Sequence, residues 1–546
     1  MPHFLSLTEI VAQYPFLRFV LYWFLFLELI RGQMGQSASK QLNNNNNKKP
    51  TYVSALPSSD ADDELIYKLQ TLLNVDDNDS DDDDDDESDD KISKSPLNTL
   101  NLSEWKENIL ADPTKKLAMN CMTGNDIDKI IANTEKQNLN NIDLFNYNVK
   151  FEGHPITNQK SSGRCWLFAS TNVFKEFMKS NYNLEDFEFS QNYLYFYDKL
   201  EKCNWFLNRI LESYEDEIDS RYIQFLFQLP ENDGGQWDMI VNLVNTYGLV
   251  PKSIYPDSAS SINSSRLNYF INNKLREFAI VLRNLKKEEN SNSEKIDSKS
   301  SNIEIVKKNM LKEIHTILSL TLGIPPDPND SIVWEYKDKF GNYHKIDSTP
   351  LDFYNNVLNF KAHEHFSLIN DPRNLEGLYT VDKLGNIENG KPIEYVNTSI
   401  DNLKEAAIQM IKSNIPVFFG SDVGKFEDTQ IGLLDVESWD YNLGFGIDMK
   451  LTKKQRLLTG SSQMTHAMVL TGVHLIDGKP IRWKVENSWG EYGNHKGYFI
   501  MSDKWFDEYV FQIVTNETFT KKKLVDIWKS KEYKVLPYYD PMGALA

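Results

Sequence analysis

The sequence predicts an α+β fold in which helices come first along the chain and strands dominate the C-terminal third. Three observations support this prediction. Residues 165–180 carry apolar side chains at spacings of three, four and seven, the period of a helix with a wide buried stripe. Two longer helical patterns follow at 265–289 and 303–323. Apolar, β-branched strings then recur around Phe418 and Val469, and such segregation is typical of an α+β plan.

An N-terminal arm, residues 1–95, is predicted to be largely disordered. Its acidic run at 76–90 holds 12 acidic side chains, and such sequence cannot bury enough apolar surface to offset the entropy of ordering it. Residues 19–27 form an unbroken apolar run, but this run is too short to span a bilayer, which needs about 20 residues. No stable membrane insertion is therefore expected. A signal peptide or anchor, and a true start at Met34 with an acyl acceptor at Gly35, are the open alternatives.

Charge and cysteine content limit the class of protein. The chain has 546 residues and a formal net charge of −20, and the acidic run supplies more than half of that charge. These totals do not describe a strongly basic nucleic-acid binder. The three cysteines, Cys121, Cys165 and Cys203, are too few for a disulfide framework. They favour a reducing compartment, by default the cytosol.

The remaining elements follow in chain order. Ordered structure is expected to begin near Leu97, with Ser103 as the cap of a first helix. The two long helical patterns are separated by a polar linker, and the pair Pro325 and Pro326 ends the second one. A hairpin is predicted next because the strings IVWEYKD and YHKI alternate apolar and polar side chains.

The string NQKSSGRCWLFAS, residues 158–170, is the most informative in the chain. It puts Cys165 at the first turn of a helix with a buried face, where the positive end of the helix dipole favours the thiolate. A cysteine at a helix start is, by itself, also consistent with a structural role. Other residues favour a catalytic role over a structural one. Gln159 lies six residues upstream of Cys165, and His466 and Asn487 occupy strand-like segments far downstream.

These four residue types fit thiol-dependent hydrolysis, each for its own reason. An imidazolium beside the sulfur stabilises the thiolate and later protonates the leaving amine, and an asparagine carbonyl fixes the histidine tautomer and ring angle. Amide donors stabilise the oxyanion of the tetrahedral intermediate. Their joint occurrence therefore predicts a hydrolase with a cysteine nucleophile.

The same residues resemble the papain family of cysteine peptidases, and more closely its bleomycin hydrolase branch. The motifs that carry the resemblance are Gln159, Cys165-Trp166, DGGQW at 233–237, His466-Ala467 and NSWG at 487–490. The resemblance covers roughly residues 97–546. It implies a two-lobed papain-like fold, with an N-terminal helical lobe and a C-terminal β-barrel-like lobe, that carries a large helical insertion.

The resemblance assigns a role to each candidate catalytic residue. By the family pattern Cys165 is the nucleophile, His466 the acid and base, and Asn487 the residue that orients the histidine. Gln159 is an oxyanion donor together with the backbone N–H of Cys165. Trp489 would shield the hydrogen bond between His466 and Asn487 from water.

Substrate binding is implied by the same resemblance. Gly234 and Gly235 match the glycine pair that binds substrate backbone in the family. The last residues, 536–546, are implied to lie in the active-site cleft, where the terminal carboxylate of Ala546 meets the free α-amine of the substrate. The expected activity is therefore that of an aminopeptidase acting on peptides and small amides.

Two departures from the family pattern bear on the domain plan. Ser162 and Asn232 stand where secreted members carry a disulfide, which agrees with an intracellular enzyme. Cys165 and His466 lie further apart than a minimal papain-like domain allows, so an insertion is expected between them. The expected parts are the arm 1–95, a helical lobe 96–262 with the nucleophile, a mainly helical insertion with a hairpin 263–400, a β-rich lobe 401–535 with the histidine and asparagine, and the C-terminal arm 536–546.

The resemblance also implies a partner arrangement, a homohexameric barrel with active sites facing an internal channel. Some members of the branch are associated with nucleic acid, but the acidic balance disfavours such binding here. The alternative function is a catalytically idle or nucleic-acid-binding assembly on the same fold. His363 and His365 lack a third spaced ligand, so neither a metal nor a cofactor is expected. Cys121 and Cys203 are expected to be packing residues.

Overall fold

The computed structural model describes residues 97–150, 153, 155–291 and 300–545. The predictions for the arm 1–95, including an acylated Gly35, and the prediction for Ala546 fall outside these residues. Within the part of the chain that is described, no helix is long and apolar enough to cross a membrane.

Helices make up most of the described chain before residue 323. In chain order the helices are α1 (Thr99–Ala111), α2 (Pro113–Met122), α3 (Ile127–Ile130), α4 (Thr134–Asn140), α5 (Cys165–Tyr182), α6 (Gln191–Glu212), α7 (Arg221–Gln228), α8 (Trp237–Tyr247), α9 (Ala259–Ile262), α10 (Ser265–Ser291), α11 (Ser300–Leu322), α12 (Pro350–Asp352), α13 (Ile400–Lys412), α14 (Tyr441–Phe445), α15 (Lys453–Leu458), α16 (Asp503–Tyr509) and α17 (Lys522–Ser530). Turns of π or 3-10 type lie at Phe353–Leu358, Ala362–Glu364, Glu517–Phe519 and Pro541–Gly543.

Strands follow mainly in the second half of the chain. They are β1 (Tyr147–Asn148), β2 (Ile332–Lys337), β3 (Tyr343–Ser348), β4 (His365–Ile369), β5 (Gly377–Val381), β6 (Tyr395–Asn397), β7 (Val417–Ser421), β8 (Glu427–Asp428), β9 (Leu433–Leu434), β10 (His466–Ile476), β11 (Lys479–Glu486), β12 (Tyr498–Ser502), β13 (Val510–Asn516) and β14 (Tyr533–Leu536). Over the described residues, one sheet has the order β14-β5-β6-β4-β13-β7-β10-β11-β12-β9-β8, with β1 paired to β10. β2 and β3 form a separate hairpin.

Helix α5 is buried along nearly its whole length, as its apolar spacing predicts. Leu167, Phe174 and Met178 on the predicted stripe are fully buried. The helix ends where Asn183 adopts a left-handed conformation with φ of 52°, and the N–H of Asn183 donates to the carbonyl of Lys179. Asparagine is one of the few residues other than glycine that adopts this conformation readily, so the sequence sets the end of the helix.

Two clusters of buried apolar side chains form the core. The larger joins helices α5, α6, α8, α10 and α11 to the hairpin β2–β3. The second lies between the large sheet and helices α13, α16 and α17. Helix α5 also packs against β10. The helix that begins at Cys165 therefore lies against the strand that begins at His466.

The long helices and the hairpin of the predicted insertion are confirmed. Helices α10 and α11 match the two long patterns, and α11 ends at Leu322, shortly before the predicted break at Pro325 and Pro326. Strands β2 and β3 pair in antiparallel register from Ile332 with Ser348 to Lys337 with Tyr343. Periodicity alone was sufficient for the two helices because each spans more than three helical turns.

The start of the first helix differs from the prediction. Ser103 lies inside α1, where its hydroxyl donates to the carbonyl of Thr99 at 3.1 Å. Asn98 is the cap, because its side-chain oxygen accepts the N–H of Leu100 at 2.9 Å. Serine and asparagine both favour this position, so sequence preference did not decide between them.

The β-rich part of the chain also begins earlier than predicted. Strands β4, β5 and β6 fall within the predicted insertion 263–400, yet they belong to the large sheet, which β4 joins through antiparallel pairing with β13. Apart from the two-residue strand β1, the sheet therefore starts at His365 rather than after residue 400. These strands are short and are buried on most of their positions, so they lack the polar and apolar alternation that marks a strand in sequence.

Candidate active site

Cys165 is the first residue of α5, and only 2% of its surface is exposed. Arg164 precedes it at the helix boundary and forms an ion pair with Asp257 at 2.8 Å. The Arg164 side chain is fully buried in this pair. A buried, charge-paired neighbour fixes the point at which the helix begins, and with it the position of the Cys165 sulfur.

Polar side chains hold the loop in front of α5, where the family disulfide is missing. Ser162 Oγ donates to the carbonyl of Gln159 at 2.6 Å and accepts from Arg164 Nε at 2.9 Å. Gln159 Nε2 donates back to the carbonyl of Ser162 at 2.7 Å. On the facing loop, Lys202 Nζ donates to the carbonyl of Asn232 at 3.1 Å. Hydrogen bonds thus occupy both positions that a disulfide would join.

His466 begins β10 and pairs with Ser421 on β7. Its Nε2 lies 2.9 Å from the side-chain oxygen of Asn487, which follows the last residue of β11. That oxygen also accepts the N–H of Ser488 at 2.8 Å. Because an amide oxygen can only accept, Nε2 of the neutral imidazole carries the proton and Nδ1 is left as an acceptor. This is the tautomer that a general base needs.

The fold brings the thiol and the histidine to one place. The backbone N–H of Ala467, the residue after His466, donates to the Cys165 sulfur. The ring of Trp489 lies 5.1 Å from the imidazole, measured between ring centroids. Cys165, His466 and the predicted orienting asparagine therefore share one site, although about half of the chain separates the first from the other two.

Burial has the largest effect on the pKa values of the Cys165 thiol and the His466 imidazole. It raises the pKa of the Cys165 thiol to about 11, although hydrogen bonds from the backbone N–H groups of Ala467, Trp166 and Cys165 itself lower that pKa. Burial also lowers the pKa of His466 to about 4, against the opposing effect of its bond to Asn487. The N–H groups at the helix start thus lower the thiol pKa, as expected, but the larger effect of burial raises it. Burial opposes the charged form of both the thiol and the imidazole in this structure.

Gln159 is held by hydrogen bonds to Ser488 and to Ser162. Its backbone N–H donates to the carbonyl of Ser488 at 2.8 Å, and its side-chain oxygen accepts from Ser488 Oγ at 2.7 Å. Its Nε2 donates one hydrogen to Ser162, the only acceptor found for this nitrogen among the described residues. The second Nε2 hydrogen is therefore available to a ligand.

Trp166 positions the predicted glycine pair. Its Nε1 donates to the carbonyl of Asp233 at 2.7 Å, and a Cβ at Gly235 would lie 2.4 Å from its ring. Gly234 donates its N–H to the side chain of Asn232 at 3.0 Å, and Lys202 Nζ donates to the Gly234 carbonyl. The backbone N–H and C=O of Gly235 meet no partner within the described ranges. This residue can therefore offer both groups to a ligand.

Two buried charge clusters behind the site were not predicted. Lys175 of α5 pairs at 2.9 Å with Glu486, the residue before Asn487, and each side chain is 1% exposed. Lys199 lies 2.6 Å from Glu231 and 2.8 Å from Asp233. The first cluster joins α5, the helix that begins at Cys165, to β11, and the second supports the loop of Gly234 and Gly235. The sequence offers one signal for the cluster of Lys175 and Glu486, namely a lysine within the otherwise buried helix α5.

The C-terminal arm reaches the glycine loop. After β14 the chain turns through Pro541–Gly543. Gln236, next to the glycine pair, donates from Nε2 to the carbonyl of Ala544 at 2.8 Å. Leu545 packs against the larger apolar cluster of the core. The described arm therefore ends beside the site, one residue before the end of the chain.

The other predicted positions lie apart from this chemistry. Cys203 is fully buried in the larger core cluster, and Cys121 is partly exposed. The imidazole of His365 stacks on Phe360 at 4.6 Å. No group of three or more metal-ligating side chains occurs in the portion of the chain that the structure describes.

Comparison with known proteins identifies the family. The Peptidase C1-like family model matches residues 96–543. The chain belongs to this family. It is 40% identical over 470 residues to bleomycin hydrolase of Mus musculus, covering 83% of this chain and 100% of that protein. It is also 40% identical over 463 residues to "Cysteine proteinase 1, mitochondrial" of Saccharomyces cerevisiae strain JAY291, covering 84% and 94% of the two proteins.

A solved structure agrees with this membership. The crystal structure of PepW from Lactobacillus rhamnosis HN001 matches with a TM-score of 0.79 and 39% identity, covering 83% of this chain and all of that one. The protein is thus a cysteine peptidase with the α+β, papain-like fold of the Peptidase C1-like family. The predicted resemblance to the bleomycin hydrolase branch is confirmed.

Proposed function

We propose that this peptidase is a cysteine-type aminopeptidase that hydrolyses peptide bonds and small amides through an acyl-thioester. The observation that carries the proposal is the hydrogen-bonded series that runs from Asn487 to His466 and from Ala467 to the sulfur of Cys165. It combines a nucleophile, a base in the accepting tautomer and a group that holds this tautomer.

In the proposed reaction His466 Nδ1 takes the proton of the Cys165 thiol as the sulfur attacks the scissile carbonyl carbon. The oxyanion accepts hydrogen bonds from the free Nε2 hydrogen of Gln159 and from the backbone N–H of Cys165. The C–N bond then breaks as the imidazolium protonates the leaving amine. Water, deprotonated by the same imidazole, hydrolyses the thioester and regenerates the thiol.

The glycine loop and the C-terminal arm would set the substrate class. The N–H and C=O of Gly235 bind the substrate backbone, with Gly234 held beside it by Lys202. The carboxylate of Ala546 binds the free α-amine of the substrate, and the arm fills the subsites that a longer N-terminal segment needs. The contact between Gln236 and Ala544 supports this arrangement, because it holds the arm two residues before its end.

Assembly and compartment are part of the same proposal. We infer a homohexamer in the cytoplasm, the compartment that three free cysteines favour. The name of the yeast relative assigns that protein to mitochondria, so cell fractionation should score both compartments. Native mass spectrometry of the full chain tests the assembly, and a monomeric mass at micromolar concentration would exclude it. Nucleic-acid binding receives no support from the site.

Removal of residues 544–546 is expected to lower aminopeptidase activity and to raise cleavage of peptides with a blocked N-terminus. A charge-assisted contact between the Ala546 carboxylate and an ammonium contributes about 1.5–3 kcal/mol, so hydrolysis of a free aminoacyl amide should fall about 10- to 100-fold. Cleavage of an N-terminally acetylated peptide should rise over the same range because the cleft is opened. Parallel kcat/KM measurements with the free and acetylated substrates give the result.

Ala546→Gly is the matched control, since it keeps the length of the arm and its carboxylate. This variant should retain the ratio of the two activities. A truncated enzyme with the ratio of the wild type would refute the aminopeptidase assignment, whereas the family membership would stand.

A further inference from the structure

An ion pair between Arg373 and Asp540 joins the C-terminal arm to the body of the protein. β14 runs parallel to β5 at one edge of the large sheet, and the arm leaves the sheet after Leu536. Four residues later, Asp540 Oδ1 lies 2.7 Å from the guanidinium of Arg373. The side chains are 5% and 8% exposed, so this contact is shielded from water and from salt.

The guanidinium of Arg373 is oriented by contacts that do not involve the C-terminal arm. Its Nε and NH2 groups each donate to a carboxylate oxygen of Asp371, both at 2.9 Å, a two-point contact that fixes the plane of the guanidinium. Asp371 is itself held by the side chain of Asn374 at 2.8 Å. The same NH2 that contacts Asp371 donates to Asp540. The guanidinium is therefore a rigid, oriented donor rather than a mobile surface charge.

Asp540 also shapes the turn that follows it. Its Oδ1 accepts the backbone N–H of Met542 at 2.8 Å, and its carbonyl accepts the N–H of Gly543 at 2.8 Å. Met542 is 1% exposed, so the turn is packed as well as capped. Beyond the turn, Gln236 donates to the Ala544 carbonyl, and Leu545 packs against the larger core cluster. The direction in which the last residues leave the turn thus depends on Asp540.

We propose that Arg373 and Asp540 form a positioning pair that sets where the end of the arm lies, and thereby the preference of the enzyme for substrates with a free amine. The inference rests on the proposed function, because it assigns the arm a role in the cleft. Six residues separate Asp540 from the terminal carboxylate. Such a short segment keeps its end in the cleft only if its beginning is fixed. Neither residue contacts substrate.

Substitutions at Asp540 remove the ion pair without leaving the buried Arg373 guanidinium unpaired, because Asp371 still binds it. In Asp540→Ala, Arg373 still pairs with Asp371, so the fold is kept while the arm loses both the ion pair and the turn cap. In Asp540→Asn, the side-chain oxygen can still cap Met542, and only the negative charge is removed. Asp526→Asn, on the exposed side of α17, makes the same chemical change in the same region and serves as the control.

Two readouts on the full-length enzyme test the proposal. Hydrogen exchange of the backbone amides at 542–545 reports arm mobility and does not depend on activity. The kcat/KM ratio for a free and an acetylated aminoacyl amide reports substrate preference. For Asp540→Ala we expect exchange at least about tenfold faster and a ratio at least about tenfold lower, as for loss of a charged hydrogen bond. Asp540→Asn should lie between Asp540→Ala and the wild type, and Asp526→Asn should match the wild type.

Each outcome decides a separate point. Wild-type exchange rates at 542–545 in Asp540→Ala would refute the proposal that Asp540 fixes the arm. Faster exchange with an unchanged substrate ratio would overturn its role in specificity. A wild-type enzyme without preference for the free amine would instead refute the proposed function, and the exchange experiment would still decide whether the pair holds the arm.

Discussion

Replacement of Cys165 by alanine is expected to lower kcat/KM for an aminoacyl amide by about 10⁴-fold or more, because the substrate loses its only covalent partner. The thiol is buried at the first turn of α5, and alanine fits that turn and favours helix. The variant should therefore keep the circular dichroism spectrum and unfold within a few degrees of the wild type. Steady-state kinetics with active-site titration gives the magnitude.

Cys203→Ala is the matched control for this experiment. Cys203 is a fully buried cysteine of the same core cluster, so its replacement removes the same sulfur atom from a packed site. This substitution should leave a small cavity that lowers the free energy of unfolding, and kcat/KM should be unchanged. Retained turnover in Cys165→Ala, or equal losses in the two variants, would contradict the assignment of the nucleophile.

Replacement of His466 by alanine is expected to lower kcat/KM by about 10³- to 10⁴-fold, the upper range for loss of a general base and acid. Burial raises the pKa of the Cys165 thiol to about 11, so without the imidazole very little thiolate exists at neutral pH. Added imidazole should restore part of the rate. His363→Ala, which changes an exposed histidine, is the control and should have no effect.

The pH profile of the wild type follows from the same site. Burial lowers the pKa of His466 to about 4, so the ring is protonated below that pH and neutral above it. Only the neutral ring can accept a proton from the thiol. Activity should therefore stay level from neutral pH down to about 5 and fall about tenfold per unit below 4. An acid limb near 6.5, the value of an unperturbed histidine, would show that the ring is solvated in the working enzyme.

The sequence contained most of the fold and the site because their signals are local. Helix α5 and the two long helices follow from apolar spacing, and the hairpin follows from alternation. The residues of the site lie in short motifs whose chemical types already fit one reaction. The pairing of Asn487 with His466 agrees with that prediction.

The parts that were missed depend on contacts between distant segments. The resting pKa of Cys165 is set by how deeply the folded chain buries the sulfur, and no local pattern reports this. The short strands β4 to β6 are recognisable only by their partners in the sheet. Lys175 with Glu486, and Arg373 with Asp540, are pairs of ordinary surface residue types that tertiary structure buries.

Trapping of the acyl-enzyme shows which side chain carries the acyl group during turnover. The enzyme is mixed with an activated aminoacyl ester, quenched in acid within milliseconds and digested with trypsin, which releases a peptide beginning at Cys165 and ending at Lys175. This peptide should gain the mass of the acyl group, and hydroxylamine, which cleaves thioesters, should abolish the gain when it is added before digestion. An acyl group on any other peptide, or full turnover with this peptide unmodified throughout the burst, would contradict the role of Cys165 as nucleophile.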